Sequence, residues 1–338
     1  MNIYDISKQA NVSIATVSRV LNGSNKVHPA TRKRVLDVIQ SNDYTPNAFA
    51  RSLGLNSMQT AGIMCADSSD TYLAQAIYFL ERELRQNNYA SMLCCTGYQL
   101  EKKQNYLQLL LSRNVDAVFF VGSNFIEEIE EQNNYLYHAA QKVPVFILNG
   151  YLPGKNIYSV LCDDYMTSYD LTRRILDSGS SNPIYLHRAL SYSCKNKRNG
   201  FQDACAKHNL TSIQDRIYSC TGSLAKTKNF LLHLERDLHI TFDSILASDD
   251  ELAVGAVKYA LASGRSIPND LQIAGYNNSL LSTCCTPELT TADNRVEFMC
   301  MTAVSFMMQL LKGKEIPSKT MFSGNIISRE TTKPFCSS

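Results

Sequence analysis

The residues best suited to chemistry cluster near the start of this chain. Ile14, Ala15, Thr16, Ser18 and Arg19 form a run of mostly short side chains with one guanidinium. Helical spacing sets Val17, Val20 and Leu21 on the opposite, apolar face. Ser13 stands where it would cap a helix over this run. A capped helix with short side chains and one outward Arg fits a recognition helix in the major groove of DNA. It fits an ordinary helical hairpin as well, because the same spacing recurs in helical domains.

The rest of the chain offers little catalytic chemistry. It has no G-x-S-x-G, H-E-x-x-H, phosphate-loop or dinucleotide fingerprint, and its six histidines form no cluster. The chain is therefore expected not to be an enzyme. Cys205-x-x-His208 is half a zinc site, but no second half stands at finger spacing, so neither metal nor cofactor is expected. The eleven cysteines are irregularly spaced and read as the reduced thiols of a cytoplasmic protein. Cys94 and Cys95 sit in an apolar run and read as small core residues. No apolar run is long enough for a membrane span, and the polar N-terminus does not suggest export.

Positioning comes from the surrounding elements. Asn2 caps a first helix, with Asp5 three residues on and Ile3, Ile6 and Ala10 on one face. Asn11 stands at the turn, where a left-handed residue is needed. A third helix runs from about Pro29 to Ser41, with Val35, Val38 and Ile39 inward and a poor cap in His28. Tyr44 is placed to close this small core, and Thr45-Pro46 ends it. Residues 1–60 carry seven Lys and Arg against three Asp, a charge of +4, and the remainder carries 26 against 28, or −2. A basic head on a mildly acidic body suits a DNA-binding module joined to a domain that does not bind DNA.

From residue 61 strands and helices alternate. Strands are expected at 61–66, 90–95, 117–121 and 145–148, with helices at 72–87, 101–113 and 126–141 between them. A second set begins with a strand at 159–162, and a helix over 294–312 and a strand near 321–328 close the chain. The alternation predicts two parallel doubly wound sheets, with a ligand cleft beyond the carboxyl ends of their strands.

Taken together these features resemble the lactose-repressor/galactose-repressor family of bacterial transcription regulators. The resemblance covers essentially the whole chain. It rests first on Asp5-Ile-Ser-Lys-Gln-Ala-Asn-Val-Ser-Ile-Ala-Thr-Val-Ser-Arg-Val-Leu-Asn22, and then on Tyr44-Thr-Pro-Asn-Ala-Phe-Ala-Arg-Ser-Leu53. In the body, Asp163-Asp164, Ala247-x-Asp249-Asp250-x-x-Ala253-x-Gly255 and Ile273-Ala-Gly-Tyr-Asn-Asn278 match further landmarks. The resemblance implies a helix-turn-helix head and a two-lobed body like periplasmic binding proteins. It implies a homodimer on near-palindromic operator DNA, acting as a repressor under a small effector. The expected units are a head at 1–46, a hinge and linker at 47–60, one lobe from 61–158 with 292–320, and another from 159–291 with 321–338.

The resemblance also assigns residues. Ile14, Ala15 and Arg19 match base-reading positions, where Arg suits guanine and an apolar side chain suits a thymine methyl. Ser13, Thr16 and Ser18 are placed for phosphates, although Ser13 also serves as a cap. Asn47–Leu53 matches a hinge helix that orders on DNA, with Leu53 wedged in the minor groove beside Ala50 and Arg51. Packing of Leu53 on a partner hinge is the alternative. Tyr72 and Leu73 match ligand-lining positions, although Tyr72 also fits as the first apolar contact of its helix. Ser191, Ser193 and Lys197 fall in a stretch where many members carry Arg at the third place, and Asn277 stands where many carry Asp. Both changes weaken a grip on vicinal hydroxyls. Asn149, Asp163 and Asp250 stand at strand ends, where each also fits as a helix cap.

Overall fold

The computed structural model describes residues 2–21, 24–42, 57–188 and 190–335. The head holds α1 (Ile3–Gln9), α2 (Ile14–Leu21) and α3 (Pro29–Ser41). Asn2 begins α1 with a capping box: its side chain accepts from the Tyr4 and Asp5 amides at 2.9 and 3.1 Å, while Asp5 accepts from the Asn2 amide at 2.9 Å. Asn11 takes the turn at φ 50°. His28 caps α3 after all, its Nδ1 accepting from the Ala30 amide at 3.3 Å. Ile6, Ala10, Val17, Val20 and Val35 form a buried core, with Ile3, Leu21, Val38 and Ile39 packed against it. Tyr44 and the expected hinge, including Asn47, Ala50, Arg51 and Leu53, lie outside the described residues.

The body is built from two sheets. Among the described residues, the first contains β1 (Thr60–Cys65), β2 (Ala90–Cys95), β3 (Ala117–Val121), β4 (Val145–Leu148), β5 (Ile157–Cys162) and β11 (Lys319–Phe322). Their order is β11-β5-β4-β3-β1-β2, and every pairing is parallel. The second contains β6 (Pro183–His187), β7 (Ile217–Ser219), β8 (Ser244–Ala247), β9 (Gln272–Tyr276), β10 (Thr290–Asp293) and β12 (Asn325–Ile327), ordered β12-β10-β9-β8-β6-β7. It too is parallel except where β12 runs antiparallel beside β10.

Helices cover these sheets: α4 (Thr71–Gln86), α5 (Leu100–Ser112), α6 (Asn134–Ala140), α7 (Asp164–Asp177), α8 (Tyr192–Lys207), α9 (Leu224–Arg236), α10 (Asp250–Ser263), α11 (Leu281–Cys284) and α12 (Val296–Leu310). In the first lobe, α4 and α12 share a core with Ile63, Phe119 and Phe146. In the second, α7 and α8 pack so closely that a Cβ on Gly200 would lie 2.3 Å from the Tyr165 carbonyl oxygen. That contact requires glycine at position 200.

The lobes divide elsewhere than strand–helix alternation suggests. β5 lies in the first sheet, not at the start of the second lobe, because the short 149–156 loop returns the chain beside β4 and both faces of β5 are buried. The chain therefore crosses between sheets after Cys162, again between β10 and α12, and again between β11 and β12. The expected terminal strand is two short ones, each extending a different sheet. The helix expected over 126–141 is reduced to α6, preceded by two 3-10 turns.

Candidate functional site

On the head, Ser13, Ile14, Ala15 and Arg19 are exposed, whereas Thr16 and Ser18 are half-buried. The Ser13 hydroxyl accepts from the Thr16 amide at 3.2 Å and pairs with the Thr16 hydroxyl at 2.9 Å. The cap thus fixes the start of α2 and leaves Ile14, Ala15 and Arg19 presented together.

In the body, a cavity of about 490 Å³ lies between the lobes. Its walls are the loops that follow strands of both sheets: Asp70 beyond β1, Tyr98 beyond β2, Ser123 after β3, Asn149 after β4, Arg188 after β6, Asp249 after β8 and Asn277 after β9. Parallel strands aim their carboxyl ends, and the helix N-termini that follow, at one crevice. Tyr72, Leu73, Ser191, Ser193 and Lys197 also line it.

Two expected residues lie elsewhere. Asp163 caps α7, accepting from the Met166 amide at 3.0 Å, and faces a separate hollow beside Asp170 and Arg174. Asp250 is buried and does not line the cavity. It accepts from the Ser279 amide at 2.6 Å, the Ser279 hydroxyl at 2.8 Å and the Thr291 hydroxyl at 2.5 Å.

Several residues that reach the cavity are committed to structure. The Lys197 ammonium donates to the Ser248 carbonyl at 3.0 Å and lies 3.8 Å over the Tyr276 ring. Near it Asp164 is buried, accepting from the Ser193 hydroxyl at 2.5 Å and the Tyr276 hydroxyl at 2.8 Å. Burial pushes the Asp164 carboxyl up, opposed by the Lys197 charge and by these two hydrogen bonds. Asn277, at φ 99°, accepts through Oδ1 from Asn294 at 3.0 Å. The substitutions at 197 and 277 therefore serve internal contacts.

The lobes are clasped at the start of α8. Asn149 donates to the Ser193 hydroxyl at 3.2 Å, and the Ser193 amide donates to the Ser123 hydroxyl at 3.2 Å. Lys195 pairs with Glu128 across the same seam. One charged cavity group is not singled out by any sequence pattern. Arg188 donates through Nε to Asp249 at 3.0 Å, pairs with Glu251 at 2.7 Å and donates to the Gly222 carbonyl at 3.2 Å. Asp249 meanwhile caps α10 through the Leu252 amide at 2.9 Å. Burial raises the carboxyl of Asp70 on the opposite wall, and Asp249 adds to that rise. Tyr72 is buried with a hydroxyl that lacks a hydrogen-bond partner.

No group of His, Cys, Asp and Glu suited to a metal ion occurs among the described residues. Cys205 is in the core, while His208 engages Asp177 at 2.9 Å. None of the described helices is long and apolar enough to cross a membrane.

Residues 2–47 match the model for bacterial regulatory proteins of the lacI family, and residues 181–332 match a periplasmic binding protein-like domain. An HTH-type transcriptional regulator of Lachnoclostridium phytofermentans is 49% identical over 332 residues, covering 98% of this chain and 99% of that protein. Catabolite control protein A of Staphylococcus xylosus is 31% identical over 294 residues, covering 86% of each. In fold, the lac repressor dimer bound to operator and an anti-inducer superposes with a TM-score of 0.87 at 20% identity, over 98% of this chain and 99% of that one.

Proposed function

This chain belongs to the lacI family of bacterial regulatory proteins and is a DNA-binding transcriptional regulator, and on that premise we propose that it is a cytoplasmic repressor, with no catalytic role, whose operator affinity follows a small effector in the interlobe cavity. The observation that carries the reading is the cavity itself, walled by strand-end loops of both lobes and clasped across them. A ligand that fits one separation of the lobes better than another shifts the balance between the two. In a homodimer, that balance sets the distance between the segments joining body to head, Asn47, Ala50, Arg51 and Leu53 among them.

Arg19, Ile14 and Ala15 read bases, and Ser13, Thr16 and Ser18 hold phosphates. In vitro selection from a random DNA pool is expected to yield a near-palindromic site. Arg19→Ala then weakens binding to that site by about 10- to 100-fold and flattens its preference at one base pair per half-site. A pool that enriches no sequence at low salt would overturn the reading of the head.

For the effector, Arg188 and Asp249 are the anchoring pair, with Tyr72, Leu73 and Tyr98 as the apolar wall. Calorimetry against neutral saccharides and nucleosides is expected to find one saturating compound. Arg188→Ala then lowers its affinity by about 10- to 100-fold and leaves operator binding without effector unchanged. A second reading, control by a protein co-regulator or by no effector, draws on the internal engagement of Lys197 and Asn277. It takes over if no compound saturates.

A further inference from the structure

β1 and β2 end on a pair of thiols. Cys65 and Cys95 are register partners on adjacent parallel strands, and their sulfurs lie 3.5 Å apart. Cys65 is fully buried against α4, whereas Cys95 is exposed on the edge strand. Neighbouring strands hold their Cα atoms roughly 4.8 Å apart, inside the span of roughly 4.4–6.8 Å that a disulfide bridges. Cys94 points to the other face of the sheet, into a different core.

We propose that Cys65 and Cys95 form a modification site for peroxides, closing to an intrachain disulfide. Cys95 meets the oxidant because it alone of the pair is open to solvent. Its thiolate attacks one peroxide oxygen; the S–O bond forms, the O–O bond breaks and hydroxide leaves. The Cys65 sulfur then displaces hydroxide from the sulfenic sulfur. The S–S bond forms, and the Cys65 proton leaves with that hydroxide as water. Over both steps two thiols and one hydrogen peroxide give one disulfide and two waters. Burial pushes the Cys65 thiol up to about 12, so Cys65 stays protonated and is not the first target; its sulfur, 3.5 Å from that of Cys95, is placed to resolve the sulfenic acid.

The position has a consequence for the cavity. The Thr96 amide donates to the Cys65 carbonyl and the Gly97 amide to the Ala66 carbonyl, each at 2.9 Å. These bonds already lace the loop entering α4 to the loop entering α5. The same loops carry Asp70 and Tyr98 to the cavity wall. A covalent bond at 65–95 fastens that wall at its root.

The test uses the full chain, reduced, freed of reductant, treated with hydrogen peroxide, alkylated and digested without reductant. Mass spectrometry is expected to find a peptide joining Cys65 to Cys95 that dithiothreitol removes. Cys95→Ser, at an exposed position, abolishes it, and Cys94→Ser keeps it. The proposal is overturned by linkage through Cys94 or by linkage between chains. It is equally overturned by sulfinic acid at Cys95 with Cys65 still alkylated, or by a chain that keeps both thiols.

Discussion

Exchanging Lys197 for methionine lowers folding stability by about 1–3 kcal/mol near neutral pH, the usual cost of leaving buried polar groups short of a partner. Lys197 is itself buried, and its charge opposes the rise that burial imposes on Asp164. The carboxylate keeps its bonds from Ser193 and Tyr276, but these alone have to offset its desolvation. Methionine preserves most of the side-chain volume, so the loss reports the ammonium, its charge together with its contacts to Ser248 and Tyr276, rather than a cavity. The sign of the pH dependence follows from the upward shift. A native carboxyl that holds its proton more tightly than the unfolded one destabilises the fold as the pH rises through its native value. Without Lys197 that penalty grows, so the deficit is greatest near neutrality and shrinks in acid. Urea unfolding of both chains at neutral and acid pH measures it. A variant of unchanged stability that has lost only effector affinity would return Lys197 to the ligand.

That expectation departs from what the family pattern assigns to position 197, and the reason lies in how much a linear pattern can carry. The three helices of the head were legible, although His28, a poor cap by residue type, does cap α3. The head's apolar spacing, Asn2 cap and left-handed Asn11 are local signals, and each governs a contact within a turn or two. The alternation of strands and helices gave two parallel sheets for the same reason. Sheet membership of β5, β11 and β12 was not legible, because pairing across the lobes is decided by which core each short strand completes.

The paired aspartates mark the limit for the site. In Asp163-Asp164 and again in Asp249-Asp250, one carboxylate caps a helix and the next, a residue further round, turns inward. Sequence places both pairs at strand ends, but the cavity takes Asp249 from one pair and neither from the other. Arg188 carried no motif at all. What marks it is the company of Asp249, Glu251 and Gly222, which the chain supplies from well beyond it.

Asp250→Asn is expected to remove a pH dependence that the unaltered chain displays. Burial, the largest influence, raises the Asp250 carboxyl from an ordinary 3.8 to about 6, against the bonds from Thr291 and Ser279, and the neighbouring Asp249 adds to the rise. Because the native value is the higher one, this group's favourable contribution is complete in acid, below the unfolded value. It is lost as the pH rises through about 6. At 1.36 kcal/mol per unit, the loss amounts to roughly 3 kcal/mol across that window. An asparagine has no charge to desolvate. Its carbonyl can keep both Ser279 donors on the oxygen that now accepts them, while its amide donates to the Thr291 hydroxyl, whose proton is free to rotate. The variant should therefore match the parent in acid and exceed it at neutral pH, with a flatter profile between. Denaturant unfolding across the window reads this directly. An unchanged profile accompanied by loss of effector binding would instead place Asp250 among the groups that touch the ligand.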